Sequence, residues 1–480
     1  MIRRVKVRKA HKHIILLAIM SGAFSLVLTN SAFNILLPGF VRLYGISTAL
    51  GGWLITFYML AMTITMPLTS LIVDRIGRKS AYIAGLGIYG LSSVLGGLFY
   101  EHVQVVLMVR FMHGAAAGLM IPLSLVLLFD MYGQEARGRI TGLWGMLLMI
   151  APVIGPTLGG LIIQFGEIKH LFWMNVPFAL LSLLLCCTNM ESYQPVRRKA
   201  VHLEGVVLMV VSVAAISLGI QLISIQTVSF WLPASLMMLG AIAAVRFIQK
   251  ENDRTEPLIR YRLLQRNPLY AMTVLISAIQ DSVMFGVILV LPLMLQEVFH
   301  LAPSITGAVF IPAAIFTSLF AWIGGSFIDK GRSLNFISYG IVLVAISVLV
   351  FAIFPQSVSF IVIAFMMAVR GIGNGLSSLT ITTVGLNSLS EDDLHEGSVL
   401  SSTIERLTSS FVVMLLAVYY EVRWQTISSS GVSVELAKWF ALKEECIALG
   451  FLMLATLPLV LVVKRKKVAI DVGNSRQSAV

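Results

Sequence analysis

A chain of 480 residues that is 58% hydrophobic and only 12% charged, with a mean hydropathy of +0.90, excludes a soluble globular protein. Ordinary soluble domains carry about 25% charged residues. The net charge of +12 calls for no nucleic-acid partner, because the basic residues gather in alternate connections between apolar blocks.

Those blocks are about 20 residues long, the length a helix needs to cross a hydrocarbon core about 30 Å thick. A basic stretch with Arg3, Arg4, Lys6, Arg8, Lys9 and Lys12 precedes the first span, 14–37. That span is too long for a secretory signal and lacks an A-x-A-like site at its end, so it reads as a retained helix. Spans follow at 48–73, 80–99, 104–129, 138–164 and 170–190, completing a first half, residues 1–190. A polar connection, 191–203, leads to two more spans, 204–225 and 228–247, and a charged segment, 248–269, ends this insert. The only charges of the inserted pair, Glu204 and Arg246, lie one at each inner end. Six further spans, 270–297, 304–328, 334–354, 358–386, 398–420 and 444–463, make a second half, 270–463, followed by a tail, 464–480. The expected fold is an all-α membrane protein with fourteen transmembrane helices, two six-helix halves and two helices inserted between them.

With both termini in the cytoplasm, the basic residues outside the spans fall almost entirely on the inner side. Only Arg42, Lys169, Arg423, Lys438 and Lys443 lie outside, while Arg110, Arg370 and Arg406 lie within spans. This asymmetry is the positive-inside pattern of a multi-pass cell-membrane protein. Outer connections are short except for 421–443.

The halves echo each other faintly. Asp74-Arg75-Ile76-Gly77-Arg78 ends the second span and Asp329-Lys330-Gly331-Arg332 ends the tenth. Arg110 with Gly114 and Gly118 is answered by Arg370 with Gly371 and Gly375. Internal repeats around a midplane site are the usual architecture of secondary transporters. Chance remains the alternative, since short charged loops and small residues are common in membrane proteins.

Several residues carry chemistry or mechanics. Gly77 permits a reversal where a Cβ would clash. Asp74 and Asp130 both end spans on the inner side, within reach of Arg78; alternatively, Arg75, Arg78 and Lys79 serve topology alone. Gly155 and Gly159 lie four apart on one helix face, the spacing that lets helices approach closely. Pro152 and Pro156 each remove a backbone donor and kink the same helix, which suits a gating surface; plain tight packing needs only the glycines. Asp281 falls about 16 Å into the ninth span, near the midplane. A lone carboxylate there is costly and marks function, unless it is a structural ion pair with an arginine such as Arg370. Glu405 is a second candidate; its neighbour Arg406 projects about 100° away around the helix, so the two need not neutralise each other. Met59, Met62 and Met66 share one face, suiting either an adaptable cavity or ordinary apolar filling. Cys186, Cys187 and Cys446 show no ligand spacing and read as packing residues. The eight histidines are scattered, with no H-E-x-x-H metal spacing, and no G-x-x-x-x-G-K-[ST] loop implies an attached ATPase. No cofactor is expected.

The run Ser70-Leu71-Ile72-Val73-Asp74-Arg75-Ile76-Gly77-Arg78-Lys79 is similar to the loop signature of the major facilitator superfamily, with Ser70 in place of its first glycine. Arg110-Phe111-Met112-His113-Gly114 through Gly118 resembles that family's fourth-span motif, with His113 replacing a glutamine. Gly155-Pro156-Thr157-Leu158-Gly159-Gly160 matches the fifth-span antiporter signature intact. Trp53 with Tyr58 and Asn175-Val176-Pro177 are smaller marks. Together they resemble the 14-span drug:proton antiporters of the QacA/EmrB type. The resemblance implies proton-driven efflux of multiple drugs and a place in antibiotic resistance. It also implies a conformational latch at Asp74, Arg78 and Asp130 and a proton-coupling role for Arg110. One departure matters: Thr29 stands where the family carries an acid, and a threonine releases no proton at neutral pH. Coupling then falls to Asp281 and Glu405, or the substrates are less cationic than the family norm. The implied partners are protons, small-molecule substrates and the lipid bilayer. A metabolite uptake or exchange carrier of the same fold is the first alternative, and a non-transport membrane subunit or enzyme is a remote one.

Overall fold

The computed structural model describes residues 9–464, except 47, 133–136, 191–202, 224–227, 255–256, 258, 329–332, 356–357 and 391–392. At several helical positions, chiefly within 137–153 and 322–328, the backbone alone is described. The second-half echo Asp329-Lys330-Gly331-Arg332, the connection 191–203 up to His202, and the tail beyond Lys464 therefore lie outside the described residues.

The described residues form helices and no strands, in two compact units: residues 1–250 with 301–308, and residues 251–300 with 309–480. The first unit holds α1 (Lys9–Tyr44), α2 (Thr48–Ile76), α3 (Arg78–Leu98), α4 (Val103–Tyr132), α5 (Arg137–Phe165), α6 (Lys169–Trp173), α7 (Asn175–Asn189), α8 (Leu203–Leu222) and nearly all of α9 (Trp231–Asp253). The second holds α10 (Arg262–Arg266) and α11 (Pro268–Leu293), which runs into one π-helical turn, Met294–Val298. The short α12 (Pro303–Ala308) belongs to the first unit; α13 (Phe310–Ile328), α14 (Ser333–Ile353), α15 (Phe360–Leu386), α16 (Leu394–Ser429) and α17 (Val434–Leu454) complete the second. Among the described residues, twelve helices are long and apolar enough to cross a membrane, and shorter apolar stretches, Leu50–Met66 and Ile154–Phe165, lie in α2 and α5.

Two predicted spans are broken by proline. A proline clashes with the carbonyl four residues earlier. Pro177 accordingly coincides with the break between α6 and α7 at Met174, and Pro312 with the break between α12 and α13 at Val309. Two others run longer than their apolar cores: α1 and α16 have 36 residues each. At 1.5 Å per residue each is about 54 Å long, well beyond a hydrocarbon core.

The expected long outer loop, 421–443, is instead a helical hairpin. No glycine or proline occurs between Ser398 and Ser429, so α16 continues past its apolar part. Gly431, at φ 92°, makes the turn, and Ser433 caps α17 by accepting from Leu436 N at 3.4 Å. Gly77, at φ 82°, likewise joins α2 to α3 as a single linking residue, a conformation a side chain would strain.

Close helix crossings explain the small residues. A Cβ on Gly114 or Gly118 would strike the carbonyls of Tyr58 and Met62 in α2. In the second unit Gly371 and Gly375 face the carbonyls of Ala313 and Thr317 in α13. The two glycine pairs thus serve the same purpose, though they follow their arginines at different offsets. Met59, Met62 and Met66 are all buried. Cys186 and Cys446 are buried thiols, Cys187 is exposed, and all three are free.

Candidate functional site

Arg110 sits in α4 with no exposed surface. Its Nε donates to Leu54 O at 2.7 Å and its Nη2 to Asn30 Oδ1 at 2.8 Å. The guanidinium carbon lies 4.2 Å from the Phe33 ring centroid and 4.4 Å from that of Tyr58. Two aromatic faces and two acceptors hold this cation; Nη1 meets no acceptor among the described residues.

Where the family pattern has an acid, Thr29 joins a buried polar network. Its hydroxyl has one proton to donate and two acceptors in reach, Ser25 O at 2.8 Å and Asn175 Oδ1. The Tyr89 hydroxyl lies 3.1 Å from Thr29 Oγ1 and 2.8 Å from Ser25 Oγ. Asn175 Nδ2 donates to Ser93 Oγ at 3.3 Å, and Ser93 Oγ lies 2.9 Å from His113 Nε2. The chain ties α1, α3, α4 and α7 together without any carboxylate. Tyr89, Ser93, His113 and Asn175 were not singled out as site residues from the sequence. The usable signal was their polarity inside apolar spans, where polar groups persist only when partnered.

In the second unit, α11 and α16 bring three ionisable groups together. Asp281 Oδ2 lies 3.2 Å from Arg406 Nη1, with side chains 16% and 31% exposed. Glu405 Oε1 accepts from Ser401 Oγ at 2.8 Å, and its carboxylate acts electrostatically on Asp281. The Arg406 guanidinium also lies over the Phe285 ring at 5.1 Å. The partner of Asp281 is thus Arg406, not Arg370. A step of about 100° around α16 separates Arg406 from Glu405 on their own helix; Arg406 contacts Asp281 of α11, while Glu405 senses it electrostatically. Arg370 is buried and donates from Nη2 to Met284 O at 3.1 Å.

At the expected inner end of the first unit, Arg78 forms an ion pair with Asp130. Asp74 is half-buried and makes no ion pair among the described residues. Lys79 Nζ donates to Cys187 O at 3.1 Å and to Met190 O, and Lys12 Nζ to Met131 O at 2.7 Å, so these basic residues close helix C-termini. In α5, a Cβ on Gly155 would lie 2.7 Å from Leu28 O and one on Gly159 2.7 Å from Ala32 O, which presses α5 onto α1. Gly160 faces Pro303 O, Gly307 faces Pro156 O, and Thr157 Oγ1 donates to Gly307 O at 3.3 Å.

The model of the Major Facilitator Superfamily matches residues 19–413, and the chain belongs to that family. It is a membrane transporter rather than an enzyme. It is 27% identical over 408 residues to the multidrug export protein EmrB of Haemophilus influenzae, covering 82% of this chain and 78% of that protein. It is 25% identical over 372 residues to the multidrug transporter protein MdtP of Bacillus subtilis, covering 77% and 68%. The fold is similar to a bacterial homologue of the lysosomal transporter Spinster, solved inward-facing and unoccupied, with a TM-score of 0.67, 14% identity and coverage of 95% and 98%. It is also similar to the Escherichia coli xylose transporter XylE, with a TM-score of 0.62, 14% identity and coverage of 93% and 98%.

Proposed function

We propose that this chain is a proton-coupled antiporter that exports small amphipathic or apolar compounds, multiple drugs among them, by alternating access. One observation carries the reading: Asp281 pairs with Arg406 between α11 and α16, and Glu405 lies within electrostatic range of both. With both carboxylates ionised the group carries one negative charge more than Arg406 balances. In a low-dielectric bundle that excess is met by a proton or by an arriving cation. Exchange of the two at Glu405, with Asp281 held by Arg406, couples proton entry to substrate exit. The names of the relatives support the substrate class.

Around that group the other elements take mechanical roles. The Arg78–Asp130 pair acts as a latch on one conformation, with Asp74 able to join it. The closely packed face of α5, Gly155 with Pro156, Gly159 and Gly160, is the surface that gates. Arg110, held by Asn30 and Leu54, orders the interior of the first unit for proton coupling. When a neutral compound leaves for an entering proton, the membrane potential contributes about 2.3 kcal/mol per 100 mV; when a monovalent cation leaves for one proton, no net charge moves and the pH gradient drives export.

Everted membrane vesicles with an acidified lumen test the reading. A cationic dye or amphipathic drug should enter the lumen and alkalinise it in the wild type, and Glu405→Gln should abolish that response. Alkalinisation of the opposite sign would make the protein a symporter. Dye accumulation without proton movement would end the coupling assignment.

A further inference from the structure

The connection that leads from α9 into α11 makes contacts no mere linker needs. In sequence it carries Arg254, Arg260, Arg262 and Arg266, and the stretch leading into α16 carries Glu391, Asp392, Asp393 and Glu396. The fold joins the two stretches at Arg260, whose Nε lies 2.5 Å from Glu396 Oε2 and whose Nη1 lies 3.7 Å from Asp393 Oδ1. Arg254 and Arg262 turn back toward the end of α9: the first pairs with Glu251 and the second donates to Asn252 O. Arg260 reaches across instead.

Further contacts seat the same segment, residues 259–267. Ile259 and Leu263 are buried. Asn267 Nδ2 donates to Ser388 O at 2.7 Å, just past the end of α15, and lies 3.2 Å from Ser388 Oγ. The Oδ1 of Asn267 caps α11 by accepting from Tyr270 N at 3.0 Å. Tyr270, 1% exposed, donates from its hydroxyl to Gly397 O in the first turn of α16 at 2.5 Å. The segment therefore ties the starts of α11 and α16 to the end of α15, at the expected inner face of the second unit.

These contacts end on the helix that carries the coupling group. Gly397, Ser401 and Glu405 lie four apart, on one face of α16. Ser401 Oγ donates to Glu405 Oε1 at 2.8 Å. Glu396 precedes Glu405 by about 14 Å of helix at 1.5 Å per residue. The two kinds of contact differ in strength. Arg260, Asp393 and Glu396 have side chains 44%, 34% and 31% exposed, so water and salt screen their pairs and each contributes little. The Tyr270 bond is buried and the Asn267 bonds are partly so. A weak ionic closure on a firmly seated segment suits repeated opening better than it suits holding the fold.

We propose that residues 259–267 form an ionic strap that Arg260 closes over the inner ends of α15 and α16, and that the strap lets go of Asp393 and Glu396 in each transport cycle so that α16, with Glu405, can move. Its place in the cycle rests on the alternating-access reading above; its opening does not.

A reversible lock tests release. Arg260→Cys with Glu396→Cys, in a Cys187→Ser background that removes the exposed thiol, is joined by a bifunctional methanethiosulfonate in everted vesicles, where the expected inner face meets the bath. Dye uptake into the lumen should stop on linking and return on reduction, while each single-cysteine variant keeps its rate under the same reagent. A linked protein that works at its unlinked rate overturns the proposal, because the strap then stays shut throughout turnover. Hydrogen–deuterium exchange of the purified full-length protein reads the opening without transport. Arg260→Gln should speed exchange of the amides of 397–401 by about two- to fivefold, the effect of losing exposed ion pairs, and leave those of 412–418, further along the helix, unchanged. Unaltered exchange at 397–401 overturns the strap. That measurement decides alone where the unlinked double variant fails to export or a single-cysteine variant is inactivated by the reagent. A link that stops dye movement in a protein that moves no protons refutes the antiport reading and leaves the strap standing.

Discussion

The Asp281–Arg406 pair can be isolated by a double-mutant cycle. Asp281→Asn leaves the Arg406 guanidinium facing Phe285 and Glu405 without its main counter-charge. Arg406→Gln leaves Asp281 and Glu405 as two carboxyl groups with no cation between them. Breaking a fully buried pair costs about 3–5 kcal/mol. These side chains are 31% and 16% exposed, so part of the cost is screened, and each single change should cost about 1–3 kcal/mol. The double variant should lose less than the sum, leaving a coupling energy of about 1–2 kcal/mol. Thermal unfolding of the detergent-solubilised protein, followed by tryptophan fluorescence, reads the stabilities, and dye extrusion from cells reads the function in parallel. Additivity within about 0.3 kcal/mol would show that the two groups do not sense each other and would remove the basis for treating them as one coupling group.

Other expectations follow from single contacts. Gly155→Val should jam α5 against Leu28 and Ser31, destabilising the protein by about 1–3 kcal/mol and stopping export. Gly87→Val, where an added Cβ meets nothing within 4 Å, should extrude dye at the wild-type rate, so equal effects at both positions would refute the packing argument. Asp130→Asn should change unfolding by less than about 1 kcal/mol, because its pair with Arg78 is 37% and 43% exposed, yet should alter transport rate if the pair latches a conformation. Thr29→Val should cost about 1–3 kcal/mol by leaving Asn175 and Tyr89 short of a partner, visible as a lower unfolding midpoint. Glu167, on the connection after α5, is held below the usual carboxylate range by hydrogen bonding to the Lys169 ammonium. A depressed carboxylate contributes stability above its unfolded pKa and loses it as pH falls through the folded one; exposed as it is, Glu167→Gln should flatten only the acid limb of a low-salt unfolding profile.

Much of this protein was legible because hydrocarbon imposes a simple rule. Every spanning segment must satisfy its own backbone, so blocks of about 20 apolar residues read as helices and the basic residues between them read as topology. The close approaches were legible too. Gly155 and Gly159 stand four apart in the chain, and a helix converts that spacing directly into one face, here laid on Leu28 and Ala32. Helix ends were less so: hydropathy marks the apolar core of α16 but not its continuation to Ser429, which depends on the absence of a breaker.

Which buried charges meet was decided by tertiary structure alone. A helix that is apolar all round carries no periodic stripe from which its rotation can be read. Asp281 was visible as a carboxylate in oil, but whether it faced Arg370 or Arg406 depended on how α11 and α16 turn toward each other. For the same reason Thr29, an apparent loss when set against the family pattern, proved to be a member of a network spread over four helices. Glu297 and Tyr420 lie far apart in the chain, and only the packing of α16 against the π-helical turn brings the Tyr420 hydroxyl onto the Glu297 carboxylate. Chain order settles where a helix lies in the bilayer; the pairing of its charges is settled by rotation and crossing, which side-chain packing selects.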